Sequence, residues 1–329
     1  MSIVLATRDS DHEIVRRLNN LAELDYPADR VEIVVAMDQT VGSRVNELRS
    51  LLGSKVRVVC GQFPGKAAAL NAGVAAASKE LLLFVDSAQT FAPDLLRRLV
   101  EQVSVEGWGA ATGTLQPNSG DAVMDRYWAR ELAIRVGQSA THSVICVTGC
   151  AYLMRRSYWR DMPHGLICDD LWSTYSVVTS GARVAIVPEA VVSDPRRFTR
   201  EQEYSRRFRT MTGLLQFVVW FPTVLNQREN PLFWHFVLHK LIRPLTPILL
   251  LLVTVATLVL MAQWSRNFAA ATLLLLTTVP FMLRLAARSE KRLGKHASTA
   301  LFAGCLLFMP LQALRQALRG NWDVWKQNR

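Results

Sequence analysis

Leu81-Leu-Leu-Phe-Val-Asp86 is an apolar run that ends on a carboxylate. A short continuous run of this kind suits a strand buried on both faces, as in a parallel sheet. Three other runs share the character: Ser2–Thr7, Val31–Met37 and Val56–Cys60. Between them lie stretches with helical spacing. Glu13–Leu24 places Ile14, Leu18, Leu21 and Ala22 on one face, Lys66–Ala77 is alanine-rich, and Pro93 opens a helix to about Ser104. Strands alternating with helices predict an α/β fold with a mostly parallel sheet covered on both faces. The stretch from Gly107 to Val192 is less regular. It reads as added antiparallel strands with a helix around Val123–Val136 and another after Asp169.

Beyond about Arg243 the chain changes solvent. Pro244–Gln263 carries no charge over twenty positions, Asn267–Leu283 none over seventeen, and Ala297–Leu314 none over eighteen. A bilayer crossing takes roughly 20 apolar residues, so the first two read as spans and the third as a span or an interfacial segment. Gly213–Leu225 is too short to cross and reads as an interfacial helix. Lys240, Arg243 and the basic loop Arg284–Lys295 put the N-terminal region on the cytosolic side by the positive-inside rule. The expected organisation is a cytosolic domain over 1–210, interfacial helices over 211–243 and a membrane domain over 244–329.

The net charge of +11 comes largely from Pro195–Arg209 and from residues flanking the apolar runs. Charge so placed suits lipid headgroups and phosphate-bearing substrates better than nucleic acid, for which no motif is present. The five cysteines form no CxxC pair and no zinc-ligand spacing. Met1–Thr7 turns polar too soon for a signal peptide. The apolar segments hold no acid or base to mark an ion path, which argues against a transporter.

Ligands of parallel sheets bind at the carboxyl ends of the strands. Asp38 and Asp86 stand just past two of those ends. A carboxylate there can accept hydrogen bonds from a base or ribose, ligate a hard cation, or simply sit in a turn. Asp169-Asp170 precedes an apolar helical stretch and reads either as a helix cap or as a general base beside a like charge.

In series, Ser2-Ile-Val-Leu-Ala-Thr-Arg-Asp, Leu24-Asp-Tyr-Pro, Val31-Glu-Ile-Val-Val-Ala-Met-Asp, Gly65-Lys-Ala-Ala-Ala-Leu-Asn-Ala-Gly, Leu81-Leu-Leu-Phe-Val-Asp, Asp169-Asp170, Arg206-Arg-Phe-Arg and Leu238-His-Lys-Leu-Ile-Arg-Pro resemble the family-2 glycosyltransferases. The closer resemblance is to membrane-bound members such as cellulose synthase, hyaluronan synthase and ceramide glucosyltransferase. It implies a GT-A nucleotide-sugar fold and inversion at the anomeric carbon, on a bacterial cytoplasmic membrane. It implies that Thr7 and Asp38 line the nucleotide pocket, with Lys66 near the uracil or diphosphate. By the same resemblance Asp86 is the first acid of a metal motif, for Mg²⁺ or Mn²⁺, and Asp170 beside Asp169 is the general base. The resemblance also implies that Arg206 and Arg209 lie near the diphosphate and acceptor channel, where the family has a Gln-x-x-Arg-Trp sequence. The partners implied are a nucleotide-sugar donor, UDP-linked ahead of GDP-linked, a lipid-linked or glycan acceptor, and membrane lipids.

The sequence departs from the pattern at three places. The metal motif reads Asp86-Ser87-Ala88, without its second acid. Met37-Asp38 stands where paired acids are usual, and Arg206-Arg-Phe-Arg-Thr210 lacks the family's glutamine and tryptophan. The departures favour transfer of a single sugar over polymer extension. They also keep open a second reading, a catalytically impaired homologue that serves as a membrane scaffold in polysaccharide assembly.

Overall fold

The four apolar runs are the parallel half of one eight-stranded sheet in a computed structural model of the chain. It describes residues 1–118, 122–265, 308–322 and a few positions between the last two segments, at 270, 272–274 and 278. The strands are β1 (Ser2–Thr7), β2 (Glu32–Met37), β3 (Val56–Cys60), β4 (Leu81–Val85), β5 (Thr90–Phe91), β6 (Trp108–Pro117), β7 (Ala151–Arg155) and β8 (Arg183–Asp194). Their order across the sheet is β3-β2-β1-β4-β7-β6-β8-β5. β1 pairs in parallel with β2 and β4, and β2 with β3. β7 then runs antiparallel between β4 and β6, while β6 and β8 pair in parallel with register shifts. The less regular stretch after Gly107 thus supplies the mixed half of the sheet, as its sequence implied.

Helices α1 (Asp11–Ala22), α2 (Val45–Leu52), α3 (Lys66–Ala76), α4 (Leu95–Ser104), α5 (Ala122–Thr141) and α6 (Asp169–Val178) cover the two faces. One core joins Ile3, Leu5, Val35, Leu83 and Leu153 to Ile14, Leu21, Leu48 and Leu99. The other joins Val4, Ala36, Phe84, Tyr152 and Val184 to Leu70, Val74 and Val177. Alternate residues of each strand feed opposite cores, as the pleat requires. The starts follow local chemistry too. Ser10 caps α1 by accepting from the Glu13 amide, and Glu13 returns the bond in a capping box.

The chain forms two compact units. The first is Met1–Arg197 with Gln216–Phe236. Into it run the end of α7 (Arg200–Trp220) and the short α8 (Phe233–Phe236), where Phe217 and Phe236 are fully buried and their rings meet Tyr175 of α6. The sequence reading began a separate helix at Gly213; in the structure those residues continue the helix that opens at Arg200. Aromatic burial against Tyr175 holds its end in the first unit.

The second unit is Phe198–Leu215 with Val237–Arg329. It contains α9 (Ile242–Trp264), whose segment Leu245–Trp264 is long and apolar enough to cross a membrane and is only 6% buried within the protein. Residues 308–318 are helical, and the Tyr204 hydroxyl of α7 donates to Gln312 Oε1 at 2.7 Å. Most of each span expected, over Asn267–Leu283 and over Ala297–Leu314, lies outside the described residues.

Candidate active site

The register brings the sequence candidates together. Thr7 stands opposite Met37, and Leu5 opposite Val85, so Thr7, Asp38 and Asp86 share one edge of the sheet. β1 lies between β2 and β4, the point where the strand order reverses and a crevice opens.

Asp38 is buried and its carboxylate is engaged. Oδ1 accepts from the backbone N–H and the hydroxyl of Thr40, each at 2.9 Å, and Oδ2 accepts from the Gly65 N–H at 3.0 Å. Gly65 has φ +113°, a conformation that side chains avoid. The chain therefore turns there and opens α3 with Lys66 as its first residue. Gly73, two turns on, lets α3 lie close on the sheet, since a Cβ there would come 2.6 Å from Val4 Cγ1. Thr7 Oγ1 accepts from the Asp9 N–H at 3.0 Å.

Lys66 is the centre of the cluster. Its ammonium lies 3.0 Å from Asp86 Oδ1 and 3.0 Å from Asp169 Oδ2. Burial would lower its pKa, but the two carboxylates, Asp169 ahead of Asp86, hold it well above the ordinary lysine value, so it is charged. Asp169 is raised. Burial is the main cause, and Asp170 and Asp86 add to it against the pull of Lys66. One ammonium thus serves several carboxylates.

Asp169 and Asp170 occupy the first turn of α6, where the helix dipole favours negative charge. Neither is the N-cap residue; Cys168 holds that position, with no side-chain cap hydrogen bond to the helix. The capping alternative is thereby set aside. Asp170 Oδ1 accepts only from the adjacent Leu171 N–H at 2.9 Å, and Asp170 takes part in no ion pair among the described residues. The two neighbours differ: Asp169 is tied to Lys66, while Asp170 keeps a carboxylate for other work.

Sequence reasoning passed over the residues that hold this turn. Gln216 of α7, fully buried, accepts from the Ile167 N–H at 2.9 Å and donates to the Gly165 carbonyl at 3.0 Å. Asn71 of α3 donates to the Met162 carbonyl and accepts from its N–H, both at 2.9 Å. Thr174 accepts from the Val147 N–H at 2.9 Å, which ties the loop before β7 to α6. The available signal was a lone amide in an apolar helix, at Asn71 and at Gln216. Arg206 and Arg209 belong to the second unit; the Arg206 guanidinium lies over the Phe198 ring, 3.9 Å from its centre.

The Mg²⁺ or Mn²⁺ anticipated at Asp86 meets a donor set that does not suit it. No group of three His, Cys, Asp or Glu side chains gathers among the described residues. Ser87 Oγ is bonded to Asp9 Oδ2. Arg16 donates to the Ser87 and Ala88 carbonyls at 3.2 and 3.3 Å. With Lys66 on Asp86, the oxygens of this stretch already face two cationic side chains, which a divalent ion would have to displace.

The mixed α/β sheet, with Asp38 and Asp86 just past the ends of its parallel strands, is a GT-A nucleotide-sugar fold. The chain belongs to the glycosyltransferase-like family 2: residues 1–213 match that family's profile. Among curated proteins, an N-acetylglucosaminyltransferase of Rhizobium meliloti (strain 1021) is 27% identical over 54% of this chain and 46% of its own length. Another N-acetylglucosaminyltransferase, of Rhizobium sp. (strain N33), is 31% identical over 39% of this chain and 32% of its own. The chain thus spans less than half the length of the curated relatives it matches. Among solved structures, a mannosyltransferase from Pyrobaculum calidifontis, in complex with GDP-Man and Mn²⁺, shares the fold. Its TM-score is 0.65 at 19% identity, over 99% of this chain and 87% of that one.

Proposed function

We propose that the chain transfers a sugar from a nucleotide-sugar to a hydroxyl acceptor at a membrane surface, with inversion. The observation that carries this reading is the division of labour between neighbours: Asp169 is tied to Lys66, and Asp170 is left with a carboxylate outside any ion pair among the described residues. In the step proposed, Asp170 accepts the acceptor's hydroxyl proton while that oxygen bonds to the anomeric carbon. The bond from that carbon to the diphosphate oxygen breaks, and its electron pair leaves with the nucleoside diphosphate. Lys66 and the N-terminus of α3 stand where the leaving group's charge develops. Thr7 and Asp38 line the nucleoside pocket in this reading, and Arg206 and Arg209 act on diphosphate or acceptor.

The donor proposed is UDP-linked, and N-acetylglucosamine is the first sugar to test because both curated relatives carry that name. The acceptor is lipid-linked or a glycan. α9, with the basic residues that precede it, anchors the chain with the first unit in the cytosol. Ala88 in place of the second acid favours one competing reading, a scaffold without turnover.

The test is incubation of the full chain in vesicles with radiolabelled UDP-N-acetylglucosamine, other UDP-sugars and GDP-mannose. Label in the lipid-soluble or polymer fraction supports transfer. Absence of transfer from every donor, by folded protein, favours the scaffold.

A further inference from the structure

We propose that Lys66 is the resident cation of this site, and that the chain binds its nucleotide diphosphate without a divalent metal. The inference rests on the nucleotide-sugar reading above and deepens it. An ammonium at 3.0 Å from both Asp86 and Asp169 sits between the two carboxylates, where a bridging cation would otherwise be held. Oxygens of the stretch that follows Asp86 are already engaged: Ser87 Oγ by Asp9, and the Ser87 and Ala88 carbonyls by Arg16. Ala88 supplies no further ligand. A metal entering here would meet two fixed positive charges, Lys66 on the carboxylates and Arg16 on the carbonyls.

The same arrangement suits an anion. A lysine ammonium has three N–H donors. Two point to carboxylates, and the third remains for a phosphate oxygen. The carboxylates fix where that third donor aims, so the ammonium is held in position before the ligand arrives. Lys66 is also the first residue of α3, whose unpaired N–H groups and dipole favour negative charge at the same end. Asp38 sets the Gly65 turn that starts the helix. A carboxylate clamp on the ammonium and a helix start set by the Gly65 turn therefore meet at one residue, Lys66.

The experiment is calorimetric titration of the detergent-solubilised full chain with UDP and with GDP, in EDTA and again in Mn²⁺. The expected result is binding of one nucleotide in EDTA, with an affinity that Mn²⁺ changes by less than about threefold. Lys66→Met is expected to weaken binding in EDTA by roughly ten- to a hundredfold, the worth of a charged hydrogen bond. It also uncovers Asp86 and Asp169, so Mn²⁺ should now restore much of the loss. Lys66→Arg keeps the charge and should bind in EDTA. Wild-type binding that requires Mn²⁺ would overturn the proposal and leave the nucleotide-sugar reading intact. Binding of neither nucleotide in either buffer, by protein with a normal unfolding transition, would overturn both. If Lys66→Met fails to fold, the wild-type pair of titrations decides alone.

Discussion

Gly73→Ala puts a methyl group where α3 crosses the sheet, and the structure assigns the sign of its effect. Alanine is the better helix former by about 1 kcal/mol. Against this, the new Cβ would lie 2.6 Å from Val4 Cγ1 and 3.1 Å from Ala36 Cβ, whereas carbons rest at about 3.5–4.0 Å. Val4 is fully buried, branched at Cβ, and hydrogen-bonded through strands on both sides, so it has little room to yield. Overpacking of this kind costs typically about 1–3 kcal/mol. The loss exceeds the gain, for a net destabilisation of about 1 kcal/mol. Relief by lifting α3 would also carry Lys66 away from contacts of 3.0 Å, so nucleotide affinity should fall with stability. The control is Gly137→Ala on α5, where a Cβ meets nothing within 4 Å. There the same change should stabilise by roughly 0.5–1 kcal/mol. Denaturant titration in detergent, followed by tryptophan fluorescence, compares the two. If Gly73→Ala stabilises as much as Gly137→Ala, the close approach of α3 to the sheet is wrong.

Two further outcomes follow from polar groups away from the chemistry. Asn71→Ala orphans both backbone groups of buried Met162. It should cost about 1–3 kcal/mol and speed amide hydrogen exchange across residues 160–168, a region that Gly137→Ala should leave unchanged. Burial would raise the Glu32 pKa, but hydrogen bonds from Ser2, Ser78 and Lys79 lower it from 4.5 to about 2. The unfolded chain then takes up a proton that the folded one refuses. The contribution to stability is present above pH 4.5 and is lost as the pH falls toward 2. Glu32→Gln should flatten the acid limb of a stability–pH curve in that window; an unchanged limb would contradict the bonding.

The parallel half of the fold was legible because each buried strand is a short run of Val, Ile, Leu and Phe between helical spacings. The mixed half was less so. β6 and β8 shift register against each other twice, which breaks the alternation a reader relies on. α7 hid its length for a different reason. Its first half is rich in arginine and its second is apolar, and partners distant in sequence, Tyr175 and Phe236 among them, explain why the apolar end is buried. Lys66, Asp86 and Asp169 were each nameable from strand ends and motif order. Their meeting on one ammonium was not, because it depends on where α3 and α6 start in space. Gln216 and Asn71 were missed for the converse reason, since a helical amide reads as solvent-facing until its backbone partners are known.

The central claim, that Asp170 is the base of a nucleotide-sugar transfer, is tested most directly by Asp170→Asn. The asparagine keeps the shape and the Leu171 contact but cannot take a proton. Sugar transfer should fall roughly a hundred- to ten-thousandfold, while nucleotide affinity, carried by Lys66 and the α3 turn, stays near wild type. Transfer at the wild-type rate by Asp170→Asn would contradict the account.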